Sequence, residues 1–427
     1  MTSPLVPVPP DSADDRRPAD PAGAGVSFIL RLGKALHTHG YPAHRLEHVL
    51  EATARTLGIE AQFFSTPTSL FAAFGAQDRQ RTHLIRVEPG DTNLGMLAGL
   101  DAIAGDVLAG VTSPHDGLAR MEALLASPPR YGPALSLLAF VLVSLGVSCL
   151  LGGGALDAAV ASLLGLITGL IAIVARPGTA LGQVMEPVAA FAVSLVAASA
   201  AMMTGSTHVY LTTLAGLVIL LPGLTLTLGL TELSTRHLQS GTSRIAAALV
   251  VFFGMAFGIA LGLKVAGWIA LPGILPMVNP ALPAWTSWVA VFLAPLCFTV
   301  LLRALPRDAP AIVAASVLAY GTARLGARAL GDQLAGFVGA LVVTAASNWW
   351  ARRGARSSFV TTIPGLLMLV PGSIGFNSIT SLLGDQVLAG VDAAFNVVIV
   401  GSALAAGLLL GNAIVAPPDA PTVRHSP

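Results

Sequence analysis

Long apolar runs dominate the chain after Pro133, and a transmembrane helix needs roughly 20 apolar residues to cross a bilayer. Gly254, Gly258 and Gly262, at four-residue spacing, give one of these runs a flat face for close helix packing. Ten runs approach the required length and predict ten transmembrane helices, at residues 134–151, 155–175, 187–204, 208–230, 244–267, 283–303, 309–330, 334–350, 358–383 and 391–414.

Before these runs the chain has the shorter patterns of a small α+β domain, predicted over residues 26–131. Apolar residues at helical spacing predict four helices, and alternating residues predict three strands. The helices are predicted over residues 26–39, 42–57, 92–108 and 114–125, and the strands over residues 60–65, 69–74 and 82–87. Residues 1–25, rich in Pro, Asp and Ala, and residues 416–427 are expected to be disordered tails.

The composition agrees with a polytopic α-helical membrane protein. Apolar residues make up 54% of the 427 residues and charged residues 11%, against about 25% charged residues in soluble domains. Of the 45 charged residues, 25 precede residue 132. This distribution excludes one large soluble enzyme, and a net charge of +1 without a basic patch excludes a nucleic-acid partner.

Lys and Arg residues near the helix ends predict the orientation of the protein in the membrane. Eleven lie on the side of the N-terminal domain, against Lys264, Arg324 and Arg328 on the other side. Because positive charges favour the cytoplasmic side, the N-terminal domain and the C-terminus are both expected in the cytoplasm.

The two halves of the membrane region, residues 132–267 and 283–415, resemble each other at offsets of 148 to 150 residues. Each half contains five predicted helices, an odd number, so the second half must be inverted relative to the first. Three of the four pairs of corresponding loops also differ in charge as inversion requires. The matching positions are Pro133-Ala134 with Pro283-Ala284, Ala197-Ala198-Ser199 with Ala345-Ala346-Ser347, and Leu221-Pro222-Gly223 with Val370-Pro371-Gly372.

Corresponding Pro-Gly pairs in two inverted halves predict broken helices and a solute-binding site where the breaks meet. Such breaks free backbone amides and carbonyls, which can bind an amino-acid zwitterion or a cation. The alternative is that these prolines only kink helices four and nine. The residues predicted to bind the substrate are Pro222, Gly223, Thr225, Thr227, Pro371, Gly372, Asn377 and Ser378.

Three carboxylates in or near the apolar runs are candidates for proton coupling, since ionisable residues in membrane helices usually serve function. Glu232, ten residues after Pro222, is the first choice, followed by Asp157 and Glu186. The alternative for each is an ordinary charge at the membrane surface.

Two other kinds of site have weaker support. His44, His48 and Glu51 share a helix face and form a candidate metal trio, but no HExxH motif or Cys pair accompanies them. Ser65, Ser69 and Asp101 are the candidate catalytic residues of an alternative function, a membrane-tethered hydrolase, but no nucleophile elbow or ordered triad is present. No metal and no cofactor are therefore expected. An uncoupled channel for small solutes is a further alternative.

Several short motifs are shared with a known family. They are Leu32-Gly33, Gly40, Arg45-Leu46-Glu47 and Leu57-Gly58, then Gly152-Gly153 with Asp157, and finally Leu221-Pro222-Gly223 followed by Gly229, Glu232-Leu233, Gly241 and Arg244. In the order and spacing of these motifs, the chain resembles the threonine/serine exporter family over residues 26–415. One departure is Glu232, where the family favours Asp.

This resemblance implies a secondary transporter, not an enzyme, that exports threonine and serine from the cytoplasm with the proton-motive force. It also implies a bacterial cytoplasmic (inner) membrane as the location, with protons and the lipid bilayer as further partners. The glycine spacing is compatible with a single chain or with a homo-oligomer.

Overall fold

The computed structural model describes residues 21–76, 78–88, 90–176, 178–269, 278–354, 356–369 and 387–418. Its first seven elements are called the N-terminal module. They are α1 (Pro21–Thr38), α2 (Ala43–Thr56), β1 (Ala61–Thr66), β2 (Ser69–Phe74), β3 (Arg81–Arg86), α3 (Leu94–Leu108) and α4 (Pro114–Leu125).

The strands form an antiparallel sheet in the order β1-β2-β3. Each strand lies within one residue of its predicted position, because alternation with period two is a local signal. Phe64 pairs with Phe71, and Leu70 with Ile85. At the start of α4, Ser113 accepts a hydrogen bond from the N–H of Asp116 at 3.1 Å, as expected of an N-cap.

The first helix begins earlier than predicted. Residues 21–25, expected in a disordered tail, form the first turns of α1. Proline is tolerated in the first turn of a helix, so Pro21 does not prevent this extension. Gly25 also packs closely against Ile59, where a Cβ would come 2.8 Å from Cδ1.

The core of the N-terminal module continues into the helices that follow it. Ile312, Phe359 and Ile363, which come from later helices, belong to the same buried cluster as Leu32 and Leu97. The membrane helices therefore bury part of the apolar surface of the module. A separate N-terminal α+β domain stays a prediction, because this shared core does not define such a boundary.

Twelve helices follow the module within the described residues. They are α5 (Pro133–Leu150), α6 (Ala155–Val174), α7 (Ala180–Gln183), α8 (Met185–Thr204), α9 (Val209–Leu217), α10 (Gly223–Ser234), α11 (Leu238–Ile269), α12 (Trp285–Leu301), α13 (Ala309–Leu330), α14 (Asp332–Gly354), α15 (Phe359–Leu367) and α16 (Val387–Ile414).

The prediction of ten membrane spans is not confirmed. Among the described residues, seven helices are long and apolar enough to cross a membrane, or eight if the bent pair formed by Val209–Leu220 and Gly223–Ser234 is one span. Two predicted spans are not among these eight. The span predicted over residues 283–303 contains α12, which has only 17 residues. The span predicted over residues 358–383 contains α15 and then passes outside the described residues.

Helix α11 illustrates how these helices are built. Its 32 residues make it about 48 Å long, well beyond a hydrocarbon core of about 30 Å, and its first turns contact the N-terminal module. Phe253, Phe257 and Trp268 are each at least 63% exposed, as expected of side chains that face lipid. On the opposite face, Gly258 and Gly262 contact α8 directly, so the glycine spacing is confirmed as a packing face.

Candidate functional site

The first helix break lies at Leu221-Pro222-Gly223, where the chain passes from α9 into α10 through a bend of 56°. Pro222 precedes the first residue of α10, Gly223, so its missing N–H leaves no gap in the helix. The hydroxyls of Thr227 and Thr231 donate to the carbonyls of Gly223 and Thr227 at 3.0 and 2.8 Å. These two hydroxyls are therefore used inside the helix, while Thr225 is half-buried.

The second predicted break is described only in part. Pro371, Gly372, Asn377 and Ser378, all predicted to bind the substrate, lie outside the described residues. The preceding helix α15 contains Pro364-Gly365 and packs on α14.

A small cavity of about 30 Å³ lies between α10 and α15, beside the N-terminal module. We call it the junction cavity, because α2 and helices from both halves of the membrane region contribute to it. Its lining residues are Pro42, His44, Arg45, Leu228, Thr231, Thr344, Asn348, Ser358, Phe359, Thr362, Leu408 and Asn412.

Most side chains around the junction cavity are polar, and some are without partners. The hydroxyl of Thr344 and Nδ1 of His44 are buried and have no hydrogen-bond partner among the described residues. Asn348 Nδ2 donates to Asn412 Oδ1 at 2.8 Å. Since a buried polar atom without a partner costs free energy, a polar solute that bonded to these atoms would be stabilised.

The module also contributes a cation to the junction cavity. The guanidinium carbon of Arg45 lies 4.9 Å from the centre of the Phe359 ring, over its face. Phe359 is the first residue of α15, so Arg45 lies beside the positive end of that helix dipole. This combination favours an anionic group.

Glu232, the first choice for proton coupling, attaches the N-terminal module to the membrane helices. It is fully buried, and its Oε1 accepts a hydrogen bond from the N–H of Ala43, the first residue of α2, at 3.0 Å. Nε of Arg244 donates to Oε1 at 3.0 Å and to Oε2 at 2.9 Å. Glu232 thus caps α2, whose own N-cap residue, Pro42, has no side-chain donor or acceptor. A role in proton coupling stays a prediction.

Further contacts strengthen this attachment, and together with the Ala43–Glu232–Arg244 group they are called the docking contacts. His237 Nε2 lies 3.2 Å from Oε2 of Glu47, and the N–H of Ser65 donates to Oε1 of Glu47 at 2.6 Å. The Ser240 hydroxyl donates to the carbonyl of Ser65 at 2.9 Å. Burial raises the pKa of Glu47.

Asp157 lies at the other end of the membrane helices, at the start of α6. Its Oδ1 accepts from the N–H of His208 at 2.7 Å, and its Oδ2 accepts from Gly154 and from Asn279 Nδ2, both at 2.9 Å. Nδ1 of His208 is also 2.9 Å from Oδ2. The Asp157 side chain is fully buried, whereas that of His208 is 69% exposed. The structure therefore does not bring Asp157 into the junction cavity.

Glu186, the third candidate for proton coupling, is in the first turn of α8 and is half-buried. The direction of the preceding helices places this turn at the same end of the membrane helices as the N-terminal module. It is not part of the junction cavity lining.

The candidate metal trio is not gathered around a common point. The ring of His44 contacts that of His237, with centroids 6.0 Å apart, whereas His48 and Glu51 are exposed. In the part of the chain that the structure describes, no three His, Cys, Asp or Glu side chains are close enough to bind one metal ion.

The candidate hydrolase residues do not form a catalytic arrangement. Ser69 Oγ lies 2.7 Å from Thr66 Oγ1, and Asp101 accepts a hydrogen bond from Tyr41 at 3.3 Å. The Ser65 hydroxyl is buried without a partner among the described residues. These contacts do not join a serine to a histidine base, as nucleophilic catalysis requires.

Acid should destabilise the N-terminal module. Burial, followed by the charge of Arg244, lowers the pKa of His37 from 6.5 to about 4, and burial lowers that of His44 to about 3. Between these values and 6.5 the unfolded chain binds protons that the folded module does not, so stability is complete above pH 6.5 and falls as the pH falls. For His37 alone the loss is about 2 kcal/mol at about pH 5.

Thermal unfolding of the full chain from about pH 7 to about pH 5 would measure this effect. We expect His37→Gln to flatten the pH dependence, and His115→Gln, whose side chain is 79% exposed, to leave it unchanged. Parallel curves for the native chain and His37→Gln would contradict the prediction.

Several residues of the junction cavity were not predicted as site residues from the sequence, among them Arg45, Asn348, Thr362 and Asn412. Arg45 belongs to the motif Arg45-Leu46-Glu47, which carries the family resemblance, but its position beside α15 depends on how the module docks. No local pattern in the sequence distinguishes the other three.

Two family profiles match the chain. Residues 27–266 match the family described as "Putative threonine/serine exporter". Residues 287–414 match the family described as "Threonine/Serine exporter, ThrE". The first match covers the N-terminal module and α5–α11, and the second covers α12–α16.

Curated relatives are found among fungal proteins. "Pheromone-regulated membrane protein 10" of Kluyveromyces lactis is 32% identical over 247 residues, which are 57% of this chain and 26% of that protein. The protein of the same name from Debaryomyces hansenii is 27% identical over 379 residues, 86% of this chain and 37% of that protein. An uncharacterised protein of Schizosaccharomyces pombe is 24% identical over 359 residues, 81% of this chain and 47% of that protein.

The chain thus spans between about a quarter and a half of the length of these relatives. No solved structure matches it.

The expected location in a bacterial cytoplasmic (inner) membrane is wrong, because these relatives are yeast proteins. Their names support a membrane protein, as do the apolar helices. The positive-inside rule concerns which loops face the cytoplasm and does not identify the membrane, so the sequence pattern had no power to specify that compartment.

Proposed function

Because the chain belongs to the threonine/serine exporter family, we propose that it exports threonine and serine from the cytoplasm, coupled to a proton gradient. The observation that carries this proposal is the junction cavity, which lies between the broken helix α9–α10, helix α15 and the N-terminal module and has several polar residues in its lining. Secondary transporters typically bind their substrates where broken helices of two related halves meet.

Matching contacts in the two halves support the inverted repeat that such a transporter needs. A Cβ on Gly258 of α11 would overlap the carbonyl oxygen of Pro187 and approach Ala190 in α8. A Cβ on Gly407 of α16 would meet Phe337 and Ala340 in α14 in the same way. The third and fifth helices of each half are therefore joined by equivalent glycine contacts, at an offset of 149 or 150 residues.

A pair of acidic residues, one in each half, supports the inversion itself. Asp157 starts the second helix of the first half and contacts His208, which precedes the fourth helix. Asp308 precedes the second helix of the second half and lies 3.5 Å from Arg356, which precedes α15. The first pair lies at the end of the helices opposite the N-terminal module, and the second lies at the module's end.

For coupling, the three carboxylates Glu232, Asp157 and Glu186 occupy both ends of the membrane helices. Only rearrangement of the helices would expose the buried pair Glu232 and Asp157 to each side in turn. In this proposal the docking contacts open when the substrate leaves the junction cavity, and Asp157 exchanges its protein partners for a proton at the opposite side.

Purified full-length protein in proteoliposomes, with the N-terminal module facing outward, provides the direct test. We expect uptake of labelled threonine and serine that increases when the lumen is made acidic. Uptake that does not depend on the proton gradient would favour an uncoupled channel instead. No uptake of either amino acid would contradict the substrate assignment.

The same vesicles test the carboxylates. The variants are Glu232→Gln, Asp157→Asn and Glu186→Gln. Where the replaced residue carries the proton, we expect gradient-driven uptake to be abolished while threonine exchange without a gradient continues. A variant that loses both activities has a structural defect. Gradient-driven uptake retained in all three would contradict the coupling residues.

Removing a hydroxyl from the cavity should weaken transport. Thr362 is buried beside Phe359 and lines the junction cavity, so we expect Thr362→Val to raise the KM for threonine about 10-fold by deleting a hydrogen-bond partner. Thr242→Val, at an exposed position of α11, is the matched control. Equal KM values for both variants would place the substrate elsewhere.

A further inference from the structure

We propose that Arg45, together with the first turn of α15, binds the carboxylate of the transported solute. The N-terminal module would then supply a substrate-binding residue. This inference rests on the proposed function, because it takes the junction cavity as the transport site. It does not require the solute to be threonine or serine. It restricts the solutes to small molecules that carry a carboxylate.

The charge of Arg45 has no close counter-ion. Among the described residues no carboxylate forms a direct ion pair with its guanidinium group. Asp101 interacts with it at longer range and already accepts a hydrogen bond from Tyr41 at 3.3 Å. Tyr41 packs on the ring of Phe359, with centroids 4.9 Å apart, so its ring helps to hold the surface on which Arg45 lies.

Stacking orients Arg45, and a hydrogen bond with the Tyr41 hydroxyl occupies part of its guanidinium group, so the remaining donors are available. The guanidinium lies over the Phe359 ring, and a stacked arginine keeps its N–H groups in the plane of the group, where they can bind a carboxylate with two hydrogen bonds. Lysine does not reproduce this geometry, because its ammonium group is a point charge.

Helix α15 adds a second source of positive potential at the same place. Ser358 precedes the helix, Phe359 begins it and Thr362 lies one turn later, and all three line the junction cavity. The N–H groups of Val360 and Thr361 already donate to the carbonyls of Ser357 and Ser358, at 3.4 and 3.3 Å, so this helix end favours an anion mainly through its dipole. Arg45 and this helix end therefore act on the same region of the cavity.

An independent feature indicates that the cavity is built for a polar ligand. Thr344, only 1% exposed, lines the cavity with a hydroxyl that has no hydrogen-bond partner in the described part of the chain. The cavity volume is about 30 Å³, room for about two water molecules. In this conformation the cavity therefore admits the carboxylate group of a solute, and the rest of the molecule requires the surrounding helices to move apart.

Binding to the purified full chain in detergent, measured by calorimetry, separates the carboxylate from the rest of the solute. The probes are threonine, serine, their carboxamides, lactate and succinate. We expect the native chain to bind one or more of the carboxylates and to bind the carboxamides at least about 10-fold more weakly. Arg45→Gln should weaken carboxylate binding by about 10- to 100-fold, as expected for a hydrogen bond to a charged group.

Three comparisons distinguish binding from a structural role. Arg45→Gln should leave carboxamide affinity unchanged, because the carboxamide has no charge for Arg45 to bind. Arg45→Lys, which keeps the charge but loses the stacked geometry, should give an intermediate affinity for carboxylates. Arg55→Gln, at an exposed position of the same helix, should behave like the native chain.

The outcomes also separate this inference from the proposed function. Binding of lactate or succinate that depends on Arg45, without binding of threonine or serine, would support the inference and contradict the proposed substrates. Carboxylate binding unchanged in Arg45→Gln, equal binding of acids and carboxamides, or no carboxylate binding by the native chain would overturn the inference.

Discussion

Replacing Glu232 with alanine will release the N-terminal module from the membrane helices. The substitution removes the acceptor of the Ala43 N–H and leaves Arg244, whose side chain is only 18% exposed, without its carboxylate. Breaking a buried ion pair by removing one partner typically costs about 3 to 5 kcal/mol. We therefore expect the population with an undocked module to rise at least about 100-fold.

A cysteine at Ser65 provides the measurement. This residue is 2% exposed and lies in the docking contacts, with its backbone bonded to Glu47 and Ser240. In a chain with Cys149 and Cys297 replaced by alanine, the rate of maleimide labelling of Ser65→Cys reports how often the module undocks. Glu232→Ala should raise this rate at least about 100-fold.

Two further variants test the mechanism of this effect. Glu51→Ala removes an exposed carboxylate from α2 and should leave the labelling rate unchanged. Arg244→Ala should match Glu232→Ala, and the double variant should add little, because residues that act as one pair are not additive. Unchanged labelling in Glu232→Ala would exclude this carboxylate as a docking residue and favour a role in the transport cycle alone.

The elements of the N-terminal module could be predicted from the sequence because their signals are local. Strand β2 alternates buried and less buried residues over six positions, and Ser113 caps α4 through a residue three positions away. Such patterns depend on near neighbours only. The first residues of α1 were missed because their packing on Ile59 depends on a distant segment.

The position of Glu232 could be predicted, but its contacts could not. A carboxylate shortly after a Pro-Gly break is visible in the sequence as a functional candidate. Its partner Ala43 lies 189 positions away, and a backbone N–H carries no side-chain signature. For the same reason the sequence could not place Arg45 in the junction cavity.

The predicted number of membrane spans rests on an assumption that does not hold for several of these helices. Apolar length predicts a span only if the run forms one straight helix. Instead, the run around Pro222 bends by 56°, α12 has 17 residues, and α15 has nine. Short and broken helices of this kind are stable only beside other protein segments, which satisfy the polar groups exposed at the breaks.

Placing a valine at Gly258 or at Gly407 will destabilise the protein to a similar extent. In each case the new Cβ would overlap a backbone carbonyl oxygen of the facing helix, that of Pro187 or of Phe337. A backbone atom inside a helix cannot move aside as a side chain can, so the two helices must separate. We expect each variant to lose about 3 kcal/mol, at the upper end for overpacking.

The matched controls are Gly267→Val in α11 and Ala406→Val in α16. Nothing lies within 4 Å of a Cβ built on Gly267, and Ala406 is exposed. Denaturant unfolding of all four purified variants should separate the two contact glycines from the two controls. A normal stability for either contact variant would show that its helix pair can separate without cost.

Equal losses at Gly258 and Gly407 would support more than local packing. If the two halves are structural repeats, the pair α8–α11 and the pair α14–α16 perform the same task in each half, holding the third helix against the fifth. A transporter built in this way must keep both pairs closed while the broken helices move. We therefore expect Gly258→Ala and Gly407→Ala, which introduce the smallest possible clash, to reduce transport by similar factors. A large loss in only one of them would contradict equivalent roles for the two halves.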